Sequence, residues 1–110
     1  MLVAVSIPIF TSQLRKSRCA TNQANARAAY AAATAALLDS DATASEGNFT
    51  YTVATATVGT MSDYSALGTT SAVADWDPDT TVGSVTLGDA IADSWDVAIS
   101  KNGAVSFSAS

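Results

Sequence analysis

The first ten residues of the chain are almost wholly apolar, and a long segment without glycine or proline follows them. Only Ser6 and Pro8 interrupt the apolar run 1–10. Between residues 11 and 38 the composition becomes rich in alanine, which is the strongest helix former. The pattern predicts a helix over residues 8–38, which the polar stretch 39–47 closes with a glycine.

One face of the predicted helix is marked by residues that recur at alternating steps of four and three. This spacing places side chains on a single helix face. The stripe is bulky at its ends and small in its middle, so another backbone can approach it closely. We expect this stripe to cover the apolar face of a sheet. Its members are Phe10, Leu14, Ser17, Thr21, Ala24, Ala28, Ala31, Ala35 and Leu38.

The remainder of the chain has the short alternating segments that are typical of strands. Apolar and polar residues alternate over 49–58, which predicts a half-buried strand. Residues 61–83 form a polar region in which we expect short local structure near 72–76. A further short strand is predicted over 82–87, where Gly88 ends it.

The C-terminus predicts a β-hairpin whose loop length follows from its apolar residues. A two-residue turn at 102–103 would place the two apolar sets on opposite faces of the sheet. A three-residue loop at 101–103 pairs Ile99 with Val105 and keeps both sets on one face, so we expect this register, with Gly103 left-handed. The two sets are Trp95, Val97 and Ile99, and Val105, Phe107 and Ala109.

These elements predict an α+β fold in which a long N-terminal helix, residues 1–38, packs on a small antiparallel sheet. A helix from residue 8 to residue 38 would be about 45 Å long, whereas four strands cover only about 20 Å. We therefore expect residues 21–38 to pack on the head, which spans 39–110. Residues 1–20 should protrude as a stalk that another molecule must bury.

Composition and charge limit the classes of protein to which the chain can belong and the partners it can bind. The 110 residues are 48% hydrophobic and 14% charged, which excludes an acidic disordered chain. Four of the five bases precede residue 39, and the remaining segment carries all ten acids with one base, Lys101. This asymmetry indicates nucleic acid, an anionic surface or another copy's acidic body as partner. An acidic body repels phosphates, so we expect no stable nucleic-acid binding by the monomer.

Catalytic chemistry has little support in the sequence. The chain has no histidine, so it lacks the usual general base and the commonest metal ligand. A single cysteine excludes an internal disulfide framework. We expect neither enzymatic activity nor a cofactor. Cys19 lies near Arg15 and Arg18, which would lower the pKa of its thiol. Packing or simple semi-exposure of the thiol is the favoured interpretation, and an intermolecular disulfide is the minor alternative.

Three alternating carboxylates, Asp75, Asp77 and Asp79, are spaced as in calcium-binding loops. An EF-hand loop would continue with glycine and would end in glutamate, but Thr80 and Thr86 occupy those positions. The spacing therefore favours a solvated acidic turn, and a calcium site remains the alternative.

The N-terminal third of the chain resembles the N-terminal helix of type IV pilins. The resemblance rests on the apolar run that contains Pro8 and on the following segments 11–18, 20–22 and 25–30. In that family an apolar segment continues as an alanine-rich helix packed on an antiparallel sheet. The family's leader, methylated first residue and buried glutamate would lie upstream of Met1. We therefore expect the chain to be truncated within its hydrophobic segment.

The resemblance implies a structural subunit. Such a subunit sits in the inner membrane before assembly, is handled by the pilus assembly machinery, and polymerises with identical copies into a helical surface filament for adhesion, motility or DNA uptake. The alternatives are a pseudopilin of a type II secretion system and a minor tip pilin that acts as a binding module. The residues expected to drive assembly are Leu2, Val3, Val5, Ile7, Pro8, Ile9, Phe10 and Leu14.

Three bases that follow the apolar run carry a hypothesis of their own. Arg15, Lys16 and Arg18 form either a plain solvated face or a surface that meets acids of a neighbouring copy. The acids at 75–79 are the candidates for that contact.

Overall fold

The computed structural model of the chain describes residues 2–39 and 46–110, with side chains from residue 11 onward. Within these ranges the protein is mixed α+β, with a long helix and a small antiparallel sheet, as the sequence predicts. The elements are α1 Leu2–Asp39, β1 Gly47–Thr52, β2 Thr57–Val58, a 3₁₀ turn Val73–Asp75, β3 Thr81–Val82, β4 Val85–Thr86, β5 Ser94–Ile99 and β6 Val105–Ala109.

The helix is the longest feature of the molecule. It has 38 residues, which corresponds to about 57 Å at 1.5 Å per residue. The whole protein measures 64 × 25 × 19 Å, so its length is close to that of the helix. Helical structure extends from Leu2 through the whole of the predicted segment 8–38, and Pro8 lies inside it. No helix in the described ranges is both apolar and long enough to cross a lipid bilayer.

The main sheet has four antiparallel strands in the order β2-β1-β5-β6. The predicted C-terminal hairpin is confirmed, because Ile99 pairs with Val105 and Val97 pairs with Phe107. The amide of Ser100 donates to the carbonyl oxygen of Ala104, which leaves a three-residue loop. In that loop Gly103 has φ +84°, the left-handed conformation that the register requires.

Two predicted strands are each divided into a pair of shorter strands. The segment 49–58 turns after Thr52 and returns as β2, with Ala56 at φ +52° in the turn. The segment 82–87 similarly forms the β3–β4 hairpin around Gly83, which has φ +62°. The short structure expected near 72–76 is present as the 3₁₀ turn.

The core lies between the helix and one face of the sheet. That face carries large apolar side chains from β1, β5 and β6, and the helix contributes small ones, so the two layers approach closely. The buried residues of the core include Phe49, Tyr51, Trp95, Val97, Ile99 and Phe107 on the sheet, with Ala26, Ala29 and Ala33 on the helix.

The helix face that packs on the sheet is not the face that the sequence predicted. The predicted stripe is exposed at every described position from Leu14 to Leu38, and its first member, Phe10, lies outside the described side chains. The buried positions lie on the opposite side, about half a turn away. They are Cys19, Asn22, Ala26, Ala29 and Ala33.

Alanine explains the error, because it occurs on both sides of the helix and so carries no information about which side is buried. Asn22 is fully buried although it is polar, so a search for regularly spaced apolar residues could not identify it as part of the buried face.

The back of the sheet is crossed by the segment 62–69. Ser65 exchanges hydrogen bonds with the Asn48 side chain, and the amide of Leu67 donates to the Ser106 hydroxyl at 2.9 Å. Asn48 and Ser106 flank Ala98 on the adjoining strands, and Ala98 is completely buried. The segment therefore covers the centre of the back face.

Candidate functional site at the junction of helix and head

The segment 73–92 of the head is attached to the helix by polar side chains. These side chains project from successive turns of the helix face that packs on the head, and most of them bond to main-chain atoms. We call this contact the junction. Its helix residues are Arg15, Arg18, Asn22 and Gln23.

Asn22 lies at the centre of the junction and uses both ends of its side-chain amide. Its Nδ2 donates to the carbonyl oxygens of Leu87 and Ala90, at 2.9 and 2.8 Å. Its Oδ1 accepts a hydrogen bond from the amide of Ala92 at 3.0 Å. A buried polar side chain is tolerated only when it is paired in this way. Asn22 therefore holds the connector between β4 and β5 against the helix.

Gln23 holds the other end of the segment. Its Nε2 donates to the carbonyl oxygens of Val73 and Trp76, at 2.9 and 3.2 Å. The Trp76 ring stacks on Trp95 with centroids 5.6 Å apart and planes at 9°. The Trp76 Nε1 donates to the Ser71 hydroxyl at 3.0 Å. The 3₁₀ turn is thus fixed both to the helix and to the sheet.

Arg15 forms ion pairs with two acids of the same chain. Its Nη2 lies 3.0 Å from Asp79 Oδ1, and its Nε lies 3.3 Å from Asp89 Oδ1. Nη2 also donates to the carbonyl oxygen of Pro78 at 3.1 Å. The hydrogen bond to Asp79 raises the pKa of Arg15, so the guanidinium stays charged. These carboxylates are largely exposed, so the pairs position the loop and add little stability.

The three bases that follow the apolar run differ in their surroundings within the chain. Arg15 meets acids of its own chain, and Arg18 Nη1 lies 3.4 Å from the carbonyl oxygen of Gly88. Lys16 is exposed and has no ion pair within the described part of the chain. Of the three, Lys16 is therefore the base that is available to another molecule.

The acidic turn is organised by its own side chains. Asp77 Oδ1 accepts hydrogen bonds from the amide of Asp79 at 2.8 Å and from the Thr80 hydroxyl at 3.3 Å, which is an Asx-type turn. Asp79 is directed to Arg15. Across residues 2–39 and 46–110, no three carboxylate or thiol side chains converge as metal ligands would. The candidate calcium ligands Asp75, Asp77 and Asp79 thus do not form a cluster.

Cys19 is packed beneath the junction. It is only 4% exposed, and its Sγ lies 3.8 Å from Gln23 Oε1. Burial, together with the negative charge of Asp77, raises the pKa of the thiol. The expected lowering by neighbouring bases was wrong, since Arg15 and Arg18 are directed to the loop. Of the two favoured interpretations, packing is confirmed and semi-exposure is wrong.

A cleft of about 300 Å³ opens at the N-terminal end of the junction. One wall is formed by the helix and the other by the acidic loop, and the lining residues are Thr11, Ser12, Arg15, Lys16 and Pro78. Leu14, one of the residues expected to drive assembly, is 37% exposed. The other seven belong to the helical segment 2–10, whose side chains lie outside the described residues.

Sequence reasoning missed Asn22 and Gln23. The only available signal was a pair of adjacent amides within an alanine-rich helix, and the main-chain atoms that satisfy them lie 50 to 70 residues away. Comparisons with protein-family models, with curated proteins and with solved structures found no match to this chain.

Proposed function

We propose that the chain is the structural subunit of a type IV pilus-like filament and that it polymerises through its N-terminal helix. The subunit resides in the inner membrane through its apolar N-terminal segment until the pilus assembly machinery extracts it. It then forms part of a surface filament that serves adhesion, motility or DNA uptake.

The main observation in support is the length of the helix relative to the part of it that the head holds. The helix is about 57 Å long, whereas the molecule is only 25 and 19 Å across in its two shorter dimensions. The junction and the sheet hold the helix from Arg15 to its C-terminal end. The preceding segment, 2–10, is helical and almost wholly apolar in sequence. A sequence segment this apolar is favourable in water only when other apolar groups cover it, and in the proposal these come from other copies.

The sheet edges give a second argument. The outer edge of β6 is bonded to other parts of the chain, because Thr69 exchanges two hydrogen bonds with Phe107 and the Ser84 amide donates to Ala109. The strand at the opposite edge is β2, which has only two residues, and β1 beside it is also bonded to Ser62 at Asn48. Occupied edges and very short edge strands resist pairing with a strand of another copy. Growth through the helix is therefore favoured over growth by strand addition.

The proposal is tested on fibres sheared from cells that produce the protein. Electron microscopy shows whether fibres are present, and mass spectrometry shows whether this chain is their main component. If the chain is absent from every fibre, the proposal is wrong. If labelling finds it only at fibre tips, the chain is a minor pilin. If filaments occur only as short structures tied to protein secretion, it is a pseudopilin.

A pair of substitutions makes the test specific for the helix. Leu14→Glu and Leu38→Glu each place a carboxylate at an exposed position of α1, so both variants should fold. We expect Leu14→Glu to abolish fibres, because it puts a charge beside the apolar segment, whereas Leu38→Glu lies at the opposite end and should retain them. Equal effects of the two substitutions would count against assembly through the N-terminal half of the helix.

A further inference from the structure

The structure divides the four bases of the helix into two pairs. Arg15 and Arg18 are bonded to the chain's own acidic loop and connector. Lys16 and Arg27 are exposed, and neither has an ion pair or a side-chain hydrogen bond among the described residues. Eleven residues separate them, which is about 16 Å along the axis and only about 20° around it. They therefore project from the same side of α1, which we call the basic flank.

Among the described residues, no acid of the same chain forms an ion pair with the basic flank. Residues 11–38 contain no acid that could pair with it along the helix. The flank is turned about 110° away from the buried face that Asn22, Ala26 and Ala29 mark. The exposed stripe from Leu14 to Leu38 lies next to the flank on the side away from the head, and it is uncharged. The solvent-facing side of α1 therefore carries positive charge only along the flank.

The head has the opposite charge in excess. Residues 46–110 contain eight acids and one base. Asp79 and Asp89 are paired with Arg15, and Asp77 belongs to the Asx-type turn. Three more acids are exposed and have neither an ion pair nor a side-chain hydrogen bond in the described part of the chain. These three are Asp63, Asp75 and Asp93.

We infer that the basic flank of α1, formed by Lys16 and Arg27, docks on the acidic head of a second copy of this chain. The inference rests on the proposed function and supplies the contact that the proposed filament requires outside the apolar segment. A second copy is favoured as the partner because its acidic head is opposite in charge to the basic flank. Nucleic acids and anionic membranes also carry negative charge, but the head of the same molecule would repel them.

The geometry of such a contact has a consequence for assembly. The two surfaces are different, so the contact is heterologous: each copy offers its flank to one neighbour and its head to another. A heterologous contact that does not close into a ring produces an open filament. Because the charged groups are exposed, the contact should weaken as ionic strength rises.

Two charge-reversed variants of the full chain test this inference. The first reverses the flank, with Lys16→Glu and Arg27→Glu. The second reverses the head, with Asp63→Lys, Asp75→Lys and Asp93→Lys. Each variant alone carries like charges on both surfaces, so we expect it to lose polymer that pellets on centrifugation. An equimolar mixture restores opposite charges at every contact, so we expect alternating filaments in electron micrographs.

Matched controls separate docking from folding. Lys101→Glu reverses a base of the head that lies outside the flank, and it should leave polymer unchanged. Circular dichroism and thermal unfolding establish that each variant is folded. Recovery of polymer in the mixture is itself a second control, because misfolded chains would not recover.

The outcomes are distinguishable. If the flank variant polymerises as well as the natural chain, or if folded variants fail to associate when mixed, the inference is wrong. If the natural chain forms no fibres, the proposed function fails. In that case sedimentation velocity decides the inference, which stands if the two variants associate with each other and not with themselves. Binding of the natural chain to phosphatidylglycerol vesicles that is lost in the flank variant would identify an anionic membrane as the partner and overturn the inference.

Discussion

The side chain of Asn22 on the helix is hydrogen-bonded to the main chain of Leu87, with 2.9 Å between Nδ2 and the carbonyl oxygen. The bond is buried and joins residues 65 positions apart in the sequence. Together with the bonds to Ala90 and Ala92, it fixes the position of the connector between β4 and β5 along the helix axis.

We expect Asn22→Ala to lower the free energy of unfolding by about 2 to 4 kcal/mol, because two carbonyls and one amide lose their partner in the interior. Asn25→Ala is the matched control, since Asn25 is half-buried about one turn later and its side chain has no hydrogen bond among the described residues. It should change stability by less than about 0.5 kcal/mol. Urea unfolding of both variants makes the comparison. Equal losses of unfolding free energy in the two variants would show that the hydrogen bonds of Asn22 do not hold the connector to the helix.

Trp76 connects the acidic loop to the sheet. It stacks on Trp95 and meets Phe107 edge-on at 5.4 Å. Trp76→Ala should therefore cost about 3 to 5 kcal/mol, the range for truncating a large buried aromatic side chain. Ile91→Ala removes a side chain that is 49% exposed on the neighbouring connector and should cost far less. Denaturant titration followed by far-UV circular dichroism measures both, and a small loss at Trp76 would contradict its role.

Two glycines with positive φ provide a test of backbone packing. Gly83 and Gly103 have φ +62° and +84°. At Gly83 an added Cβ would collide with the backbone of Ala109, whereas nothing lies within 4 Å at Gly103. Alanine at Gly103 should cost about 1 kcal/mol of strain alone, and alanine at Gly83 should cost clearly more. Thermal unfolding of the two variants distinguishes these costs, and the reverse order would refute the contact between β3–β4 and the C-terminal strand.

Burial raises the pKa of the Cys19 thiol above its ordinary value of 9.0. Well below pH 9.0 the thiol is protonated in both the folded and unfolded states, so its contribution to stability is constant. Above that pH the unfolded chain loses the proton while the folded chain retains it. The free energy of unfolding should therefore fall as the pH rises through the folded pKa.

The measurement compares the natural chain with Cys19→Ala over the alkaline range. Because other groups titrate there in both proteins, the difference between the two curves isolates the thiol. We expect that difference to grow above pH 9.0. Thiol reagents should also react with Cys19 much more slowly in the folded chain than in denaturant. Parallel stability curves, with rapid labelling of the folded chain, would contradict burial of the thiol.

The sequence by itself determined the long helix and the C-terminal hairpin with its register. The information for these elements is local: a run without glycine or proline predicts the helix, and two alternating apolar sets can share one face only with a three-residue loop. The turn after Thr52 was missed because Ala56 has a positive φ, a conformation that an alanine in the sequence does not indicate.

Only the tertiary structure decided which side of the helix is buried. Alanine fits either side, so apolar spacing could not distinguish them, and the deciding interactions are hydrogen bonds from Asn22 and Gln23 to main-chain atoms of the distant segment 73–92. The same folding step brought Arg15 to Asp79 and left Lys16 and Arg27 facing outward. The sequence cannot show which main-chain atoms will accept or donate these hydrogen bonds, because every residue except proline has the same main-chain carbonyl and amide groups.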